Sequence, residues 1–143
     1  MIEKISDNLV AAFLNNKIIA AIPSSFTKKL SEAQKFRKLC ESKIKEPIIG
    51  YKAGGTGIPL LKKLKEKEPF YASVYKRNFL KTGQKVKVNK YTLGIELEVC
   101  YLIKKSFFLS KSVITKRNIN RYITHMAPGI EVVGYRQRKK GIT

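Results

Sequence analysis

The sequence predicts an α+β fold in which helices come first and strands later. Three observations support this class. Apolar residues recur at helical spacing over residues 2–20 and again over residues 31–44. From residue 70 onward, runs rich in β-branched and aromatic residues dominate. Within residues 94–103, apolar side chains alternate with other residue types, which is typical of a strand whose two faces differ.

Residues 1–46 are predicted to form a helical region. The first helix has apolar side chains at Ile2, Ile5, Leu9, Ala12 and Phe13. Residues 22–30 are predicted to be a loop. Ser31 is then predicted to cap the second helix, because Gln34 follows three residues later as in a capping box. Pro47 ends that helix, since proline cannot continue it.

Residues 47–143 are predicted to form the sheet part of the same single domain. A loop with hinge glycines and one short helix is expected between residue 55 and Pro69. A further short helix is expected over residues 116–126. The predicted strands cover residues 48–54, 70–75, 84–91, 94–103 and 129–136.

The charge is strongly unbalanced, with 30 Lys plus Arg against 10 Asp plus Glu, a net charge of +20. Such a field attracts nucleic acid or any polyanion non-specifically. However, the excess is mostly lysine and is scattered over the chain, whereas specific phosphate or base recognition favours arginine. The composition also fits a genome rich in A and T. Only the end of the chain, YRQRKKGIT, forms a local basic cluster.

The composition further predicts a cytoplasmic protein. No apolar run reaches the ~18 residues that a membrane span needs, and the N-terminus carries acids where a signal peptide is basic. Cys40 and Cys100 lack a CxxC spacing, so both are expected to be reduced and buried.

Two of the few acids, Glu96 and Glu98, stand two residues apart in the alternating strand. They therefore project from one face, with Cβ atoms roughly 7 Å apart, and repel each other by about 2 kcal/mol at an effective dielectric constant near 20. Cys100 and Leu102 share that face and suggest that it is partly buried. In one interpretation lysine side chains on a solvated face offset the repulsion. In the other, Glu131 joins the pair and the three carboxylates form a hard-oxygen site suited to Mg²⁺ or Mn²⁺.

Lys52 stands among glycines in the stretch GYKAGGTG, at the end of a predicted strand. The stretch is not a P-loop, because the order of glycine and lysine differs from GxxxxGK[ST]. It is either an ordinary turn with a solvated lysine, or a pocket kept open by small residues in which Lys52 binds a substrate carboxylate. The single histidine, His125, is predicted to cap or pack the end of a helix.

Five stretches in order resemble the fumarylacetoacetate hydrolase superfamily, in particular its 2-keto-4-pentenoate hydratase and 4-oxalocrotonate decarboxylase branch. The resemblance covers residues 31–136, and it is the order and spacing of the five that make it specific. They are SEAQKFRKL, GYKAGGTG, EPFYASVY, GIELEVCYLI and APGIEVVGYR.

The resemblance implies a mixed, curved β-sheet, here an incomplete roll, and a divalent cation, Mg²⁺ or Mn²⁺, held by Glu96, Glu98 and Glu131. It implies a small-molecule 2-hydroxy-dienoate or its 2-oxo tautomer as the substrate, with Lys52 as a catalytic and substrate-binding residue. The reaction would be addition of water, or loss of CO₂ as in the decarboxylases of the branch. The chain departs from the family motif at Phe70, where many relatives carry an acid, and at Ala72, where glycine is usual.

Family members continue for a second half beyond the third glutamate. The resemblance therefore implies a truncated chain whose activity alone is in doubt, with a second chain supplying the rest, or a homo-oligomer. Two other functions stay open from the residues: a non-catalytic basic protein that binds nucleic acid or another polyanion, and a structural or regulatory subunit without turnover.

Overall fold

The computed structural model describes residues 1–26, 28–135 and 137. The described chain contains helices and small antiparallel sheets, which confirms the α+β class. It divides into two compact units, one holding residues 1–87 and Gln137 and the other residues 88–135. The predicted boundary after residue 46 falls inside the first unit. Most of the basic end of the chain, Arg136 and residues 138–143, lies outside the described residues.

The first unit combines three helices with a two-stranded sheet. Its elements are α1 (Ile2–Leu14), α2 (Leu30–Lys43), β1 (Ile48–Gly54), α3 (Ile58–Leu64) and β2 (Phe70–Tyr75), with 3-10 turns at Ser24–Phe26 and Lys76–Asn78. The second unit is an antiparallel ribbon with a short helix between its strands. Its elements are β3 (Thr92–Ile103), α4 (Lys105–Leu109), a 3-10 turn (Ile119–Tyr122) and β4 (Ile123–Gly134). None of the helices in the described ranges has both the length and the apolar character needed to cross a membrane.

The core of the first unit lies between α1 and α2. Val10, Phe36 and Cys40 are buried there, and the Phe26 ring stacks on Phe36 with centroids 6.1 Å apart. Burial raises the pKa of the Cys40 thiol. Cys40 is free and buried as predicted, whereas Cys100 is free but exposed, so the prediction of a buried thiol was wrong for Cys100.

Two predicted helix boundaries in this unit, the end of the first helix and the start of the second, differ from the structure. The first helix ends at Leu14 instead of continuing to residue 20, because Asn16 adopts the left-handed region at φ 52° and the Asn15 side chain caps the Ala11 carbonyl at 2.8 Å. The capping box was also wrong. Helix α2 starts at Leu30 without a side-chain cap, and the Gln34 side chain accepts a hydrogen bond from Arg37 instead.

Lys43 joins the end of α2 to the start of α1. Its ammonium donates to the Glu3 carboxylate at 2.5 Å, to the Asp7 carboxylate at 2.6 Å and to the hydroxyl of the fully buried Ser6 at 2.6 Å. Hydrogen bonds from this ammonium to Asp7 and Glu3 raise the pKa of Lys43. Lys43 in the last turn of α2 and Glu3 in the first turn of α1 also suit the two helix dipoles.

The Glu41 carboxylate connects α2 to β2. It accepts a hydrogen bond from the Ser73 amide at 3.2 Å and pairs with the Arg37 guanidinium one turn earlier on the helix. Arg37 also lies over the Tyr71 ring, 4.5 Å from its centroid. Burial alone would raise the pKa of Glu41, but the hydrogen bonds from Ser73 and Arg37 outweigh it and hold the pKa below its usual value.

In the second unit, β3 and β4 pair antiparallel over almost their whole length. Two predictions were wrong here. Residues 84–91 are not a strand, and among residues 116–126 only Ile119–Tyr122 are helical, as a 3-10 turn, before β4 begins at Ile123. Residues from Ile123 onward pair with the far end of β3, and this pairing overrides the helical spacing that the sequence suggested.

We expect Glu41→Gln to destabilise the first unit by about 1–3 kcal/mol at pH 7, because it removes a charged partner of Arg37 and Ser73. The folded pKa of Glu41 is lowered, so its contribution is present above the unfolded pKa and is lost as the pH falls through the folded pKa. The difference from wild type should therefore shrink below about pH 4. Urea unfolding followed by helical circular dichroism at both pH values measures it.

Glu68→Gln is the matched control, because it removes the same charge from an exposed side chain. An equal loss of stability in both variants, or a Glu41→Gln difference that does not change with pH, would contradict the role of Glu41.

Candidate metal centre

The register of β3 and β4 brings three glutamates onto one face. Glu96 lies directly opposite Glu131, and Glu98 lies opposite Gly129. Residues directly opposite each other in an antiparallel pair share a face, and so do residues two apart along a strand. We call this side of the ribbon the carboxylate face.

One carboxylate oxygen from each of Glu96, Glu98 and Glu131 lies within 4.8 Å of the others. The structure thus brings together the three acids that the sequence singled out. Glu96 and Glu98 are exposed and Glu131 is half-buried. The expectation that Cys100 and Leu102 bury this face was wrong, since Cys100 is exposed and Leu102 is 61% exposed. The reason is that the described residues of this unit place no other element over them.

The three carboxylates create a strong local negative charge in a basic chain. Like charges directly opposite each other on a sheet are destabilising. Neither Glu96 nor Glu98 forms a hydrogen bond or ion pair with another residue in the described ranges. The exposure of Glu96 and Glu98 agrees with the interpretation of a solvated face, and neutralisation by lysine side chains stays a prediction. A cation bound between the carboxylates would relieve the repulsion.

Gly129 shapes the carboxylate face next to Glu98. A Cβ at position 129 would lie 2.6 Å from the Cys100 Sγ and 3.9 Å from the Glu98 Cβ. The thiol therefore occupies the space that a side chain at 129 would fill. Cys100 therefore lies next to Glu98 on the exposed carboxylate face.

His125 extends the same face, which the sequence did not predict. It lies on β4 opposite Leu102 and is exposed, so it does not cap or pack a helix. The signal was present in the sequence, because residues 125, 127, 129 and 131 have the same parity. The predicted helix over residues 116–126 concealed it.

Lys52 lies on β1 in the first unit, opposite Ala72 of β2, and is exposed. The glycines that follow it do not keep a pocket open. The Phe70 ring fills the space above them, with ring atoms 2.5 Å from a Cβ built at Gly54 and 2.8 Å from one built at Gly55. Gly55 also adopts φ 69°, which favours glycine. The role of Lys52 towards a substrate stays a prediction.

Comparison of the chain with protein-family models and with curated proteins finds no match.

We expect Glu96→Gln to raise the stability of the second unit when a chelator removes divalent cations, because it relieves repulsion from Glu98 and Glu131. The gain should be about 1 kcal/mol, or roughly 2–4 °C in melting temperature. Thermal unfolding in the chelator, followed by strand circular dichroism, measures this gain.

Glu68→Gln changes the net charge by the same amount but leaves Glu96, Glu98 and Glu131 in place, and it should leave the melting temperature unchanged. A loss of stability in Glu96→Gln would show that Glu96 is already neutralised by the protein itself.

Proposed function

We propose that Glu96, Glu98 and Glu131 bind a divalent cation, Mg²⁺ or Mn²⁺, and that this centre serves the addition of water to a 2-hydroxy-dienoate or its 2-oxo tautomer. The convergence of the three carboxylates carries the proposal. The resemblance of five sequence stretches to the hydratase branch of the fumarylacetoacetate hydrolase superfamily supplies the reaction class. At this finer level, the two antiparallel sheets would belong to an incomplete roll of that family.

The donor set fits a hard cation. Three oxygens within 4.8 Å of one another surround a point at most roughly 2.8 Å from each, compared with bond lengths of ~2.0–2.1 Å for Mg²⁺ and ~2.3–2.6 Å for Ca²⁺. Small rotations of exposed glutamate side chains close this difference. Three protein ligands leave coordination positions for water and for a chelating substrate. All three ligands are carboxylates, which suit Mg²⁺ or Mn²⁺ better than softer metals.

The exposure of the carboxylate face suits a site that must admit a small molecule. When bound, a divalent cation supplies Lewis-acid stabilisation of negative charge on the substrate's C2 oxygen. The glutamates hold and orient that charge from the strands β3 and β4, which are more rigid supports than loops. The resemblance assigns the substrate carboxylate to Lys52, whose ammonium is the complementary charge. The same groups would also serve a decarboxylase, which differs in the substrate.

We expect Mg²⁺ or Mn²⁺ to stabilise the intact chain against heat. At a concentration one hundred times the dissociation constant, binding to the folded state adds about 2.7 kcal/mol, or roughly 5–10 °C in melting temperature. Glu96→Gln should abolish this shift, and Glu68→Gln should retain it. An equal shift in wild type and Glu96→Gln would place the metal elsewhere and refute the centre.

Activity is tested separately, by loss of the conjugated absorbance of a 2-hydroxy-dienoate in the presence of Mg²⁺. Lys52→Met should keep the metal-induced shift but lower turnover by about 10²-fold or more, as loss of a charge-stabilising group does. Lys63→Met on α3 is the matched control. If the metal shift is present without turnover, the metal centre stands and the hydratase assignment fails.

Retention on DNA that falls with salt and survives Glu96→Gln would support the basic binding protein instead.

A further inference from the structure

The second unit has no interior of its own. None of its residues, 88–135, is buried. A two-stranded ribbon is at best marginally stable in water unless something packs against it. The stability of this unit therefore calls for a surface that covers one of its faces.

The face opposite the glutamates carries apolar side chains and one tyrosine, and we call it the apolar face. Its members alternate with the residues of the carboxylate face and pair across the strands, from Ile95 opposite Val132 to Tyr101 opposite Met126. They are Ile95, Leu97, Val99 and Tyr101 of β3 with Met126, Pro128, Ile130 and Val132 of β4. Pro128 is exposed, and the exposure of the other seven ranges from 39% at Val132 to 83% at Leu97. The side chains of a strand interior are rarely left this open.

The size of the apolar face matches what a dimer needs. A fully exposed aliphatic side chain carries roughly 100 Å² of apolar surface and an aromatic one about twice that, so the exposed fractions here amount to roughly 500 Å². Two such faces together bury about 1,000 Å², the size at which specific interfaces begin. A patch of several hundred Å² on a monomer is itself a sign of an interaction site.

The geometry points to a second copy of this chain as the partner, packed with its apolar face against this one. Two ribbons would then form a sandwich with layers roughly 10 Å apart, related by a two-fold axis, so that the same residues meet from both sides. The face carries no charged side chain, so the +20 charge of each copy stays outside the interface. The glutamates project from the reverse side and remain accessible, and the dimer does not depend on the proposed function.

This dimer should respond to salt in a characteristic way. Each copy carries +20, so the two repel at low ionic strength. Added salt screens that repulsion and strengthens apolar burial, and the dimer should therefore tighten as salt rises. Aggregates held together by a bound polyanion respond in the opposite way, because salt weakens them.

The test is sedimentation of the nuclease-treated 143-residue chain over about 1–100 µM, where an interface of this size associates. We expect a species of twice the 16.3 kDa chain mass. Leu97→Thr keeps a residue that favours strands but removes apolar area from both copies, and it should raise the dissociation constant at least about tenfold. Leu102→Thr makes the same change on the carboxylate face and should leave the dimer unchanged. Far-UV circular dichroism confirms that both variants are folded.

Cross-linking gives a second measurement that does not require a destabilised variant. In a Cys100→Ala background, a short bismaleimide should join two copies that carry Leu97→Cys, whereas it should not join two copies that carry Leu102→Cys. A monomer at all concentrations, a dimer that weakens with salt, equal effects of Leu97→Thr and Leu102→Thr, or cross-linking through position 102 would each overturn the proposal.

Discussion

Mutual repulsion among three carboxylates is the constraint around which the β3–β4 unit is organised. Glu96 and Glu131 face each other across the ribbon, Glu98 lies one pleat further along, and an oxygen of each lies within 4.8 Å of the others. Folding into this register has an electrostatic cost. The apolar residues on the reverse face disfavour a slip of one residue, because that slip would turn them towards the charges. A bound cation would change the cost of the cluster into a gain.

Four acids of the first unit lie beside a cation. Glu3 and Asp7 bind Lys43, Glu41 binds Arg37, and Glu46 lies 3.6 Å from Arg77. These pairs tie helices to each other and to the sheet. In a chain with only ten acids, these four support the fold, whereas Glu96, Glu98 and Glu131 gather on one face. Exposed pairs of this kind contribute little individually. The fully buried Ser6 hydroxyl also accepts a hydrogen bond from Lys43, and the half-buried Ser73 amide donates one to Glu41.

Local patterns in the sequence predicted the strands well where a single segment determines its own structure. Strands β1 and β2 begin and end where their β-branched and aromatic runs do, and the alternation of residues 95–102 gave the two faces of β3. The period of two also put Glu96 and Glu98 on one side. Their approach to Glu131 could not be derived in this way, because it depends on which residue of β4 lies opposite Glu96, a choice made by pairing between distant segments.

The wrong predictions also arise from contacts between segments that are distant in the sequence. Residues 84–91 have strand-forming composition but form no strand with any described part of the chain, although the Tyr91 carbonyl accepts a hydrogen bond from the Tyr135 amide. Ile123–Met126 have helical spacing but lie in a strand that pairs with β3. The exposure of Cys100 and the filling of the space above Gly54 by Phe70 likewise depend on neighbours that spacing along the chain does not reveal.

The two faces of the ribbon have one further consequence, for evolution. Inserting or deleting one residue in the middle of either strand would exchange the two faces beyond that point. Charged side chains would then lie on the apolar face and apolar side chains on the carboxylate face. A change of two residues would keep every side chain on its own side and shift only its partner. Length variation within these strands should therefore occur in even steps.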